Sequence, residues 1–88
     1  MKVAFRESFL RDLRAIKDAG VLRRAKEVIE NVEQVDKPTD ISNLKKLRGH
    51  GRYYRIRIGE HRVGLAIEAD TVTFIRILNR RDIYRYFP

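Results

Sequence analysis

Gly59-Glu60 stands between two runs in which apolar and polar residues alternate, Tyr53 to Ile58 and Arg62 to Ile67. A Gly-X pair in that setting is the signature of a two-residue type II′ hairpin loop. A loop that tight fixes the pairing: Ile58 faces His61, Arg57 faces Arg62, Ile56 faces Val63, Arg55 faces Gly64 and Tyr54 faces Leu65. Successive side chains point to opposite sides of a strand. One face therefore carries Tyr54, Ile56, Ile58, Val63, Leu65 and Ile67, the surface that a core requires. The other carries Tyr53, Arg55 and Arg57 beside Arg62, Gly64 and Ala66.

That second face is poorly designed for stability. Like charges directly across a strand pair, as at Arg57 and Arg62, destabilise it, and Gly64 and Ala66 place almost no side chain where a strand needs one. Both faults make sense if an anion settles there. A phosphate would turn the repulsion of two guanidinium groups into a bidentate clamp, and the small residues would leave room for a nucleotide beside Tyr53. Local conflict of this kind points to a site, although exposed arginines also protect an edge hairpin from aggregation and Gly64 could mark a bulge.

The rest of the chain supplies what such a hairpin packs against. Residues 2–6 alternate around Val3 and Phe5, a short strand. From Ser8, apolar residues at Phe9, Leu10, Leu13, Ile16 and Ala19 form a helical stripe that stops at Gly20. A second stripe, Val21, Leu22, Ala25, Val28, Ile29, Val32 and Val35, ends before Pro38. Two amphipathic helices separated by one glycine predict a helical hairpin. Residues 37–51, with Pro38, Asp40, Ser42, Asn43, Gly49 and Gly51, read as a connecting loop. Thr71 to Leu78 is a further strand after a turn at Ala69-Asp70, and Arg80 to Tyr86 is a short helix or an extended tail. The prediction is one α+β domain over residues 1–88, an antiparallel sheet with a helical hairpin on one face.

Charge adds a functional direction. The net charge is +8, and it is not spread evenly. Residues 7–36 hold seven acidic and six basic side chains, whereas residues 44–62 hold seven basic ones and a single acid, Glu60. A localised excess favours a polyanion, since each neutralised phosphate releases counterions. Lys45, Lys46, Arg48 and Arg52 read as phosphate-positioning contacts that give affinity without sequence choice. No apolar run approaches the ~18 residues of a membrane span, and the N-terminus turns charged too soon for a signal peptide. The absence of cysteine removes disulfides and thiolate metal sites and fits a cytoplasmic chain. His50 and His61 are too few for a metal cluster.

Three segments, Leu47-Arg48-Gly49, Tyr54-Arg55-Ile56-Arg57-Ile58-Gly59-Glu60-His61-Arg62-Val63 and Arg80-Arg81-Asp82-Ile83-Tyr84-Arg85, together resemble the RelE/ParE toxin superfamily, in order and spacing and over essentially the whole chain. The resemblance implies a four-stranded antiparallel sheet curved around a basic groove, with the helical hairpin behind it. It also implies an endoribonuclease that cleaves mRNA on the ribosome, without metal or cofactor, by attack of the substrate's own 2′-OH on the adjacent phosphate. Arg55, Arg57, Arg62, Arg80 and Tyr84 match the positions that carry this activity, with Tyr53, Asn79 and Arg81 as further RNA contacts. An acidic or amphipathic antitoxin is the implied partner. Asn79 departs from the pattern, because many relatives have histidine there and asparagine cannot shuttle protons.

Attack by a 2′-OH needs a base, charge stabilisation at the phosphorane and an acid for the leaving oxygen. Arginines suit the second task and are poor proton carriers, which leaves Tyr84 as the better acid or base. Histidine is the usual neutral-pH proton carrier, but alternation puts His61 on the face opposite Arg62, and His50 falls in the basic loop. Glu60 occupies the turn. Two other readings stay open: a ParE-type inhibitor of DNA gyrase, and a non-catalytic RNA-binding module or degenerate toxin.

Overall fold

The computed structural model describes residues 1–49 and 51–88; His50 lies outside the described residues. A five-stranded sheet runs in the order β1-β5-β4-β3-β2, built from β1 (Lys2–Phe5), β2 (Leu44–Lys46), β3 (Tyr53–Ile58), β4 (His61–Glu68) and β5 (Thr71–Asn79). Helices α1 (Glu7–Ala15) and α2 (Ala19–Gln34) cover one face, and a single-turn helix α3 (Ile83–Tyr86) lies on the other.

The β3–β4 hairpin has the predicted register throughout, from Ile58 opposite His61 to Tyr54 opposite Leu65. Gly59 has φ +55, the left-handed conformation that the first residue of a type II′ loop requires. The alternation holds as well: Ile56, Ile58, Val63 and Leu65 are buried in one cluster with Phe9, Val21, Ala25 and Val32 of the helices and Val72, Phe74 and Ile77 of β5.

Four expectations are corrected. The sheet has five strands rather than four, because Leu44–Lys46, read as part of a loop, pairs with β3 through Leu44–Ile56, Lys45–Arg55 and Lys46–Tyr54. Three residues cannot show a convincing alternation, and lysines are what an outermost strand uses to discourage further pairing. Nor is the sheet wholly antiparallel, since β1 runs parallel to β5.

The helical boundary also moves. The first helix ends at Ala15, and Ile16 is already extended. Asp18 then caps α2, its Oδ1 accepting from the N–H groups of Gly20 (2.8 Å) and Val21 (3.3 Å). A capping aspartate satisfies donors that the first turn leaves free, so Gly20 sits inside α2 rather than separating two helices. Instead of packing chiefly on each other as a helical hairpin, the helices make their most extensive backbone contacts with the sheet, α1 along β5 and α2 across β1 and β3.

Beyond Phe5, β1 no longer pairs with β5, and α1 takes over that edge with side chains. Ser8 Oγ donates to the carbonyl of Ile75 at 2.6 Å, and Asp12 Oδ2 accepts from Ile77 N–H at 3.1 Å. Positions 8 and 12 lie on one helical face. Asp12 also takes a two-pronged bond from Arg76, 2.7 Å from Nε and 3.1 Å from Nη2. This bond raises the guanidinium pKa above its ordinary value against the opposing effect of burial. A bulge in β5 sets Gly64 opposite Arg76 but Leu65 opposite Phe74, so one extra residue is accommodated and both Phe74 and Ile77 reach the core.

Candidate nucleic-acid interface

The face of the sheet turned away from α1 and α2 is divided by the C-terminal segment. Ile83 and Phe87 are 0% and 3% exposed and, with Ala66, are buried outside the main core. The Phe87 ring lies on Gly64 so closely that a β-carbon there would meet ring carbons at 2.7 Å, and it meets the Tyr53 ring edge-on with centroids 5.6 Å apart. The space that the small residues were expected to leave for a nucleotide is therefore filled by the chain's own phenylalanine. Small strand residues fit an aromatic side chain of the same molecule as well as they would fit a base.

On one side of this plug, Arg76 is held by Asp12, with its guanidinium 5.9 Å from the centre of the Tyr86 ring. On the other side the arginines are open. Arg57 is exposed and has no hydrogen-bond or ion-pair partner among the described residues. Opposite it, Arg62 Nη1 donates to the carbonyls of Gly59 (2.7 Å) and His61 (2.9 Å). The hairpin's own turn thereby orients Arg62 and leaves the rest of its fork unengaged. Arg80 joins them because its backbone N–H donates to the Glu60 carbonyl at 2.8 Å, while its Nε is 2.8 Å from Glu60 Oε2. Both side chains of that pair are more than half exposed, so the bond is worth less than about 1 kcal/mol and yields readily to a stronger anion.

These three arginines line one open depression of about 540 Å³ at the hairpin tip, together with Arg24, Glu27 and Glu60. Arg24 had no signal in the sequence, being one of two adjacent exposed arginines on α2. Arg55 lies further back, in a smaller depression with Asn43, Lys45 and Arg57. Its Nη1 reaches the Asn43 carbonyl only at 3.5 Å, and its Nε is buried without a partner.

Tyr84 is 59% exposed and lines a third depression, with Lys45, Lys46 and Arg48, rather than the one holding Arg57, Arg62 and Arg80. Shared residues link the three: Asn43 and Arg57 border the first and second, and Lys45 borders the second and third. A basic track therefore follows the β2–β3 edge from Tyr84 to Arg80.

The remaining predicted contacts are placed less centrally. Lys45 shares Arg55's face, while Lys46, opposite Tyr54, lies on the other. Arg52 donates to the Tyr53 hydroxyl at 3.1 Å and is engaged by Glu68 at 2.9 Å; the bond to Tyr53, and then the charge of Glu68, hold its pKa above the ordinary value. Asn79 pairs with His61 in the register of β4 and β5, hence on the face opposite Arg57 and Arg62. Its Oδ1 accepts from Arg81 N–H at 3.0 Å, shaping the turn that leads to α3. The Arg81 side chain is exposed beside Arg80.

Residues 3–84 match the family described as the ParE toxin of the type II toxin-antitoxin system, parDE. The chain is 38% identical to the toxin RelE3 of Methanocaldococcus jannaschii over 89 residues, covering 100% of both chains. It is 31% identical to the putative toxin RelE1 of the same organism over 91% of this chain and 89% of that one. Among solved structures, a chain of the RelB-RelE antitoxin-toxin complex from Methanococcus jannaschii superposes with a TM-score of 0.82 at 34% identity, covering 97% of this chain and 99% of the other.

Proposed function

The chain belongs to the RelE/ParE family of type II toxin-antitoxin toxins, and from that membership we propose that it acts as an endoribonuclease that cuts mRNA by attack of a ribose 2′-OH on the adjacent phosphate. The observation that carries this reading is the opposition of Arg57 and Arg62 across two strands, with Arg80 in the same depression and one weakly held carboxylate among them. Two forks that repel each other in the resting protein fit the extra negative charge of a phosphorane, and the rigid hairpin fixes their geometry in advance.

In this reading Arg57, Arg62 and Arg80 stabilise the transition state. Lys45, Arg48 and Arg55 hold the flanking backbone along the β2 edge, and Tyr84 serves the proton transfers at the other end of the track. The RNA must then bridge the two depressions, a bent path that suits substrate presented by the ribosome. An antitoxin of acidic or amphipathic character would cover the same strongly basic surface, in keeping with the RelB-RelE complex of the similar solved structure.

Primer extension on mRNA after brief induction tests the proposal. Cuts confined to translated regions are expected for the wild type, and none for Arg62→Ala, whose fold should be intact. The family match to ParE toxins makes gyrase inhibition the competing reading. Double-strand DNA breaks with uncut mRNA would establish that reading instead.

A further inference from the structure

One cation in the depression at the hairpin tip comes from neither the hairpin nor the C-terminal motif. Arg24 stands on α2, yet its guanidinium lies against the turn: a β-carbon built on Gly59 would fall 3.1 Å from its Nη1 and 3.2 Å from its Nη2. It lines the same depression as Arg57, Arg62 and Arg80. We propose that Arg24 binds a second RNA phosphate, next to the one held by the hairpin arginines, so that the RNA backbone turns around the hairpin tip onto α2. This inference rests on the RNA-cleaving reading above.

Charge around the depression supports it. Four guanidinium groups face two carboxylates, Glu27 and Glu60, and Glu60 is already engaged by Arg80 at 2.8 Å. Glu27 lies three residues after Arg24, where an ordinary helix-surface ion pair could form, but no such pair is present among the described residues. Arg24 is thus left with its charge unmatched in a depression that is already too positive. A bound anion is what relieves that repulsion.

Gly59 contributes twice to the arrangement. Its positive φ makes the tight loop, and its missing side chain lets the guanidinium close on the turn; any β-carbon would have to push Arg24 aside. A helix also fixes the base of this arginine more firmly than the basic loop fixes Arg48, which favours binding a phosphate at a defined place over diffuse attraction.

The test measures binding of a labelled single-stranded RNA with 2′-O-methyl riboses, which cannot be cut by 2′-OH attack, across a series of NaCl concentrations. Removing one phosphate contact lowers the slope of log affinity against log salt by about 0.7 for a single strand. Arg24→Ala should show that loss, with several-fold weaker binding at low salt, and Arg24→Lys should restore the slope. Arg23→Ala is the control, because the neighbouring exposed residue projects about 100° around the helix and removes the same net charge. An unchanged slope in Arg24→Ala, or an equal loss in Arg23→Ala, overturns the inference while leaving the cleavage reading intact. A wild-type protein that does not bind this RNA also overturns the inference, while the cleavage reading is decided separately by primer extension on translated mRNA.

Discussion

Replacing Gly64 with alanine should eject Phe87 from the sheet. Gly64 has no positive φ, so alanine can adopt its backbone, but the new β-carbon would meet Cγ and Cδ2 of the Phe87 ring at 2.7 Å and Cδ1 at 2.9 Å. Gly64 lies in β4, hydrogen-bonded on both sides by β3 and β5, so the strand cannot retreat and the chain end must. Exposing a phenylalanine that is 3% accessible forfeits about 1.5–3 kcal/mol of burial. Alanine returns about 0.5–1 kcal/mol, because glycine loses more conformational freedom in a strand. The net is a destabilisation of about 0.5–2.5 kcal/mol, or a fall in Tm of roughly 2–20 °C for a chain of this size.

The same substitution should have the opposite sign where the ring is already gone. In a Phe87→Ala background, Gly64→Ala has nothing to collide with and should stabilise by about 0.5–1 kcal/mol. Urea unfolding of the four proteins in the cycle, followed by circular dichroism, gives the coupling directly. If Gly64→Ala costs the same in both backgrounds, or stabilises the wild type, then Phe87 does not occupy the seat described for it and the reasoning fails.

Substitutions at two aspartates probe how α1 is attached to the sheet and how α2 begins. Asp12→Ala removes the partner of Arg76 and leaves the Ile77 N–H without an acceptor, and should cost about 2–3 kcal/mol in urea unfolding. Asp12→Asn, which can still accept from Ile77, should cost less; equal losses would show that the backbone bond contributes nothing. Asp18→Ala removes the cap of α2 and should lower stability by about 1 kcal/mol, whereas an effect below a few tenths would return the helix boundary to Gly20.

Much of the site's geometry was legible before any coordinates. The hairpin register and the division of its residues between two faces follow from a two-residue loop and strict alternation, both local rules. Strand β2 was illegible because its three residues carry no pattern of their own and are held by the edge that β3 offers. The end of α1 was misread because the apolar stripe continues through Ile16, which still packs on the core, while the competing signal was a single capping aspartate.

What the amino-acid order determined by itself is the α+β class, the arginine-bearing face and the opposition of Arg57 to Arg62, since each depends on residues close together in the chain. The tertiary structure alone decided three things: that Phe87 fills the space over Gly64, that Tyr84 stands beside Lys45 and Arg48, and that Arg24 closes on Gly59. Each of these joins segments far apart in sequence, and such contacts are selected by the packing of the whole chain, which no local period or propensity encodes.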